Sequence, residues 1–274
     1  MSTLVCFHAH PDDEALSTGG MMAKAAAAGH RVVLVTATRG EQGEPVPGVL
    51  ADGELLWERR VQELAESAAL LGADEPRLLG YEDSGMIGEP ANDNPACFWQ
   101  ANVETAAEKL AAILAEVSAD VLTIYDDHGL YGHPDHIQVH RVGLRAAELA
   151  GTEYVYEASV NRDQALKRFA EMEQVLEGAA DGPSPDEMEN FGLPEAELAY
   201  VIDISEHLGA KRAAMVVHRS QIPDDSFFLQ LPDEVFRSMF AHEWFAIPES
   251  RRSSQPAPNY TGDGPQPAEL LPGL

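Results

Sequence analysis

The sequence predicts an α/β fold built on a mainly parallel sheet with helices on both faces, and three observations carry that prediction. Short apolar, β-branched runs alternate with helix-periodic segments from Leu4 to Glu157. Those runs are apolar at nearly every position rather than at alternate ones, the pattern of strands covered on both sides. Chemistry-bearing polar residues follow directly after two of them, where an open sheet of this class collects its ligands.

Leu4–Phe7 reads as the first strand, Ser17–Ala28 as an alanine-rich helix closed by Gly29, and Arg31–Thr36 as the second strand. Glu54–Leu71 has apolar residues at helical spacing and stops at Gly72. Arg77–Leu79 is expected as a short third strand, Val103–Val117 as a helix and Val121–Tyr125 as a clear strand. A helix from Pro134, a residue suited to a first helical turn, runs to Ala150, and Glu153–Glu157 returns as a strand. This βαβα order implies a Rossmann-like sheet. Beyond it, Asp163–Glu177 is helical and amphipathic, and Asp181–Pro194 is a Pro-, Gly- and acid-rich exposed loop. Tyr200–Ile204 is a strand, Ser205 caps a helix through Val217, Asp233–Phe240 is a short helix and Glu243–Ala246 a last strand. Residues 1–247 are expected to form one domain, and 248–274, rich in Pro, Ser and Gly, a mobile tail.

Composition narrows the class. Of 274 residues 45% are hydrophobic and 23% charged, enough for a sizeable core. No apolar run approaches the roughly 20 residues that span a bilayer, and no basic segment precedes an apolar one at the N-terminus. Cys6 and Cys97 form no close metal pair. A cytoplasmic, reduced protein is the expectation. The net charge of −28 argues against nucleic acid and anionic lipid as partners. It reads as a solvated acidic surface in preference to adaptation to salt. Oligomeric state is left open, a homo-oligomer included.

His10-Pro11-Asp12-Asp13-Glu14 follows the first strand, and Tyr131-Gly132-His133-Pro134-Asp135-His136 follows the strand Val121–Tyr125. Buried acids must be paired, protonated or bound to a cation, so the first cluster points to a divalent metal. If the two strands are neighbours, the two loops make one site. A catalytic zinc keeps about three protein ligands and leaves a position for water. Read from residue type alone, the ligand pool is His10, Asp12, Asp13, Glu14, His133, Asp135 and His136. Metal, carboxylate and imidazole together can activate a water and move its protons, so the clusters point to a metal-dependent hydrolase.

With Thr38-Arg39-Gly40-Glu41, these clusters resemble, in colinear order, the PIG-L (LmbE-like) deacetylases. That family holds N-acetylglucosaminyl-phosphatidylinositol de-N-acetylases, the mycothiol-biosynthesis deacetylase and the mycothiol S-conjugate amidase. Lys211–Gln221 extends the likeness to actinobacterial members. The resemblance implies one zinc ion per chain on His10, Asp13 and His136, with Asp12 as general base. It implies that His133 steadies or protonates the tetrahedral intermediate and leaving amine, that Tyr131 polarises the carbonyl, and that Asp83 and Arg60 contact the sugar. Arg59 is close enough in sequence to exchange with Arg60. Glu14 is expected to support by hydrogen bonding, and Asp135 to fix a ligating histidine's tautomer.

The implied activity is deacetylation of an N-acetylglucosamine conjugate, a small molecule. Rival readings are cleavage of another amide, such as a mycothiol S-conjugate, and a non-catalytic metal- or sugar-binding module, which leaves Asp12 unexplained. His8 reads as structural and His140 as packing. His218 is either pocket-lining or structural, and His242 lacks metal spacing. Gly19-Gly20 suggests close helix approach, and Trp57, Trp99 and Trp244 suggest packing. Specificity is assigned to Gln42–Leu56, Asp83–Asn102 and Ser220–Leu231, with 85–95 either a lid or a plain loop.

Overall fold

The computed structural model describes residues 1–175, 190–255 and 264–274. One eight-stranded sheet organises them: β1 Thr3–His8, β2 Arg31–Thr36, β3 Arg77–Leu78, β4 Val121–Tyr125, β5 Tyr154–Ser159, β6 Tyr200–Asp203, β7 His242–Ala246 and β8 Gln266–Ala268. They lie in the order β3-β2-β1-β4-β5-β7-β6-β8. The first five in that row are parallel, β7 runs antiparallel to both β5 and β6, and β8 is parallel to β6. From β1 the chain winds outward through β2 and β3, then returns to the other side of β1 with β4. The boundary between β1 and β4 is therefore the switch point, where ligands of such sheets bind.

Alternation along β1 divides the core in two. Leu4 and Cys6 pack with Val32, Leu34 and Tyr156 on one face. Val5 and Phe7 pack with Val33, Val35, Leu122 and Ile124 on the other. Helix α4 (Val103–Val117) and helix α6 (Pro134–Ala150) cover the second face. Helix α2 (Gly19–Ala27), helix α3 (Leu56–Leu70) and helix α8 (Leu208–Val217) cover the first. A Cβ on Gly20 would sit 2.6 Å from Ile204 Cδ1, so the expected close helix approach is what this glycine permits.

Three expectations need correction. The first helix starts earlier, as α1 (Asp13–Ser17), and breaks at Thr18 before α2. Ser205 does not cap with its side chain; its N–H donates to Asp203 Oδ1, and a 3₁₀ turn over Ser205–His207 leads into α8. Residues 264–274 are not a free tail. They add β8 to the sheet, bury Leu271 completely, and place Pro272 so that its carbonyl accepts from the Tyr156 hydroxyl at 3.0 Å. Composition hid this because one buried leucine and a three-residue strand leave little apolar signal. The amphipathic segment after β5 is helix α7 (Arg162–Val175). Positions 176–177, and 181–189 of the expected exposed loop, lie outside the described residues.

Candidate metal and catalytic centre

Because β1 and β4 are hydrogen-bonded neighbours, the loops that follow them meet at the switch point. The second loop turns through the short helix α5 (Gly129–Gly132), with Leu130 at φ 68°, and enters α6 at Pro134. His10, Asp13, His133, Asp135 and His136 are all buried there.

Proton positions follow from hydrogen-bond partners. His10 Nε2 lies 3.2 Å from Asp135 Oδ2 and 3.4 Å from Asp83 Oδ1, so two carboxylates claim its N–H and Nδ1 is the nitrogen left to face a metal. That nitrogen is 3.5 Å from Asp13 Oδ2. The other oxygen of Asp13 is 3.4 Å from His136 Nε2, while His136 Nδ1 is buried with no partner among the described residues. Bonds of about 2.1 Å to a tetrahedral zinc set donor atoms about 3.4 Å apart. Both Asp13 edges thus have the length a metal requires, and Asp13 joins the two histidines.

Two other groups have all their donor atoms within 4.8 Å: His10 with His133 and His136, and His10 with Asp83 and Asp135. The His10–Asp13–His136 set is not among them, and its two short edges run to different oxygens of Asp13. His133 is nevertheless the weaker ligand. Its Nδ1 accepts the Asp135 N–H at 3.1 Å as the cap of α6, which puts the ring proton on Nε2 and leaves no free lone pair. Asp135 and Asp83 are occupied with the far side of His10.

Electrostatics separate the groups further. Burial raises the Asp13 carboxyl, but His136 and His10 outweigh it and hold Asp13 well below the usual range. Burial depresses His133, and His10 and His136 add to this, pushing it down to about 3. Burial pushes Asp12 up to about 6, Arg60 pulling downward and Asp13 upward. The two adjacent carboxyls are thereby driven in opposite directions.

Asp12 occupies the cap position of α1 but makes no side-chain cap bond, so capping does not explain it. Its backbone is strained at φ 109°. Arg60 Nη2 donates to its Oδ2 at 3.1 Å and to the Pro11 carbonyl at 2.7 Å, while Nη1 donates to the Gly40 carbonyl at 2.7 Å. Gly40, at φ +69°, must be glycine, since a Cβ would fall 2.2 Å from Arg60 Nη1. Arg59 faces away and pairs with Glu54. Glu14 accepts the Asp12 N–H at 3.0 Å. Tyr131 is 43% exposed, with its hydroxyl 3.4 Å from His136 Nε2.

Sequence reasoning overlooked several supports. Ser84 binds both oxygens of Asp135 through its N–H and hydroxyl. Tyr125 stacks on His136 at 4.3 Å, with its hydroxyl held by His8, which Thr18 holds in turn. Lys211, fully buried, bridges Leu16 O and Glu243, whose carboxylate takes the Gly20 and Met21 N–H groups. Only the clustering of hydroxyls near the motifs hinted at the first two, and nothing local marked the last.

A cavity of about 1350 Å³ opens over this edge, and Asp12, Arg60, Asp83, Tyr131, His133 and His136 line it. Gln42, Glu89 and Gln221 come from the three loops expected to set specificity. Phe227 and Phe228 belong to the last of those loops, whereas Val160, Phe240 and Trp244 were not foreseen and extend it into a largely aromatic wall, so Trp244 is more than packing. Trp57 and Trp99 instead lie under Arg39 and Arg141.

Residues 5–147 match the family profile described as PIG-L, GlcNAc-PI de-N-acetylase. A Thermomonospora curvata protein named 1D-myo-inositol 2-acetamido-2-deoxy-alpha-D-glucopyranoside deacetylase is 40% identical over 267 residues, 89% of this chain and 90% of the relative. A Thermobifida fusca protein of the same name is 41% identical, over 91% of this chain and 94% of its own length. Among solved structures, N,N'-diacetylchitobiose deacetylase from Pyrococcus horikoshii superposes with a TM-score of 0.53 at 25% identity, covering 82% of this chain and 72% of that one.

Proposed function

The chain belongs to the PIG-L family of GlcNAc-PI de-N-acetylases, and on that premise we propose that it deacetylates N-acetylglucosamine joined to inositol, using zinc. Deacetylation of an N-acetylglucosamine conjugate is the activity of this chain; the inositol aglycone, the identity of the ion and the residue roles are our reading. The observation that carries it is the division of labour between two adjacent acids. Asp13 spans both histidines, whereas Asp12, turned aside at φ 109° and clasped by Arg60, is left to handle a proton.

His10 Nδ1, the Asp13 carboxylate and His136 Nε2 would hold the ion. When bound, it would lower the pKa of a water to about 7 and polarise the acetyl carbonyl. Asp12 takes a proton from the attacking water as the new C–O bond forms and the carbonyl electron pair moves onto oxygen. His133, held neutral with its proton on Nε2, serves better as a hydrogen-bond donor to that oxygen than as an acid. Tyr131 offers a second hydroxyl donor at the cavity mouth. As the oxygen's electron pair re-forms the carbonyl, the C–N bond breaks, the nitrogen takes that bonding pair and Asp12 returns its proton to it. The remaining acid proton passes to the amine, giving acetate and the ammonium form of the sugar. Asp83 and Gln42 present polar groups to the sugar and its inositol.

The aromatic wall favours a second substrate type, an amide with a bulkier apolar portion such as an S-conjugate. Incubating the zinc-loaded protein with inositol-, malate- and lipid-linked N-acetylglucosamine and with an S-conjugate amide separates these readings. Acetate release fastest from the inositol conjugate supports the first. One zinc per chain with no acetate from any conjugate overturns it.

A further inference from the structure

Asp12 sits in a backbone conformation that a non-glycine residue keeps only when its surroundings over-determine it. Two groups supply that constraint: Arg60 on the Pro11 carbonyl and the Asp12 carboxylate, and Glu14 on the Asp12 N–H. Glu14 itself is fully buried, so its aim depends on what holds its other oxygen. Ser67 donates to Oε1 from α3, and His218 Nε2 lies 2.6 Å from the same atom. His218 is fully buried, ends α8, and has no partner for Nδ1 among the described residues. Its segment is anchored independently of the site, because Ser220 donates through its N–H and hydroxyl to Glu63 on α3 at 3.0 and 2.6 Å.

We infer that His218 is a positioning residue for the general base, fixing Glu14 and through it the strained turn that aims the Asp12 carboxylate. The contact crosses 204 residues, and His218 lies outside the region 5–147 matched by the family profile. The chain therefore completes its catalytic loop from its C-terminal half. Neither Glu14 nor His218 touches the reacting atoms in this account, and His218 does not line the cavity.

The inference rests on Asp12 being the base, and the test separates the two ideas. A glutamine at 218 can place an amide nitrogen near the position of Nε2, whereas an asparagine reaches only the position of Nδ1. With metal content equal to wild type, His218→Asn is expected to lower kcat about tenfold to hundredfold with KM within about twofold, as a small misplacement of a catalytic group does. His218→Gln is expected to stay within about threefold of wild-type kcat. Hydrogen exchange at the Asp12 amide should quicken in the asparagine variant and not in the glutamine variant, a readout that needs no substrate. Equal kcat in both variants, a loss confined to KM, or unchanged Asp12 exchange would overturn the role of His218. A wild-type enzyme that releases no acetate, with exchange behaving as expected, would count against the proposed function alone.

Discussion

The Arg60 guanidinium donates to Asp12 Oδ2 at 3.1 Å and to the Pro11 carbonyl at 2.7 Å, so one side chain holds both the Asp12 carboxylate and the peptide before it. Burial raises Asp12 to about 6, and Arg60 opposes that rise. A base must be ionised, so kcat/KM should fall as pH drops through an acid limb at or below about 6. Arg60→Gln removes the opposing cation, so its acid limb should move upward in pH and its plateau kcat should fall about tenfold or more. An unmoved limb with only KM raised would instead assign Arg60 to sugar contact alone.

Asp135 Oδ2 lies 3.2 Å from His10 Nε2, and Ser84 holds both oxygens of that carboxylate. Asp135→Asn should weaken zinc binding about tenfold to hundredfold, the usual effect of losing a ligand's outer partner. Competition with a fluorescent chelator measures this directly. Ser84→Ala should show the same effect more weakly.

The buried Glu14–His218 pair should leave a mark on stability. Burial depresses His218, but Glu14 more than compensates and the imidazole is raised above its usual 6.5. Its stabilisation is therefore fully present below about pH 6.5 and is lost as pH rises through the folded-state value. Glu14 is lowered from 4.5, burial being outweighed by His218, so its share is present above about 4.5 and is lost on acidification. Tm of the wild type should decline above pH 6.5 more steeply than that of His218→Gln. Parallel curves would mean that the pair is not charged.

Removing residues 264–274 should lower Tm. The truncation exposes a sheet edge at β6 and deletes the buried Leu271, whose side chain is worth about 1.5–3 kcal/mol. An unchanged melting curve would restore the free-tail reading.

Strands and helices of the first half were legible because each is long, apolar and punctuated by glycine or proline. Val103–Val117 and Val121–Tyr125 match the predicted bounds. β8 was not legible, since three residues containing a proline carry no period. The centre divided the same way. Contiguous motifs announced His10, Asp12, Asp13, His133 and His136, which adjacent parallel strands then brought together. Ser67 and His218 reach Glu14, and Lys211 and Glu243 reach α1 and α2 just beyond it, from helices and a strand distant in sequence. Their spacing in sequence says nothing about a meeting that only the packing of α3, α8 and β7 creates. Tyr125, inside an apolar strand, read as core and is also the face on which His136 stacks.

The central claim is that Asp12 moves the proton while Asp13 holds the metal. Zinc content and acetate release measured together on Asp12→Asn and Asp13→Asn test it most directly. Asp12→Asn should keep one zinc per chain and lose activity by about 10²–10⁴-fold, whereas Asp13→Asn should lose the zinc. An Asp12→Asn enzyme with zinc bound and near wild-type turnover would contradict the account.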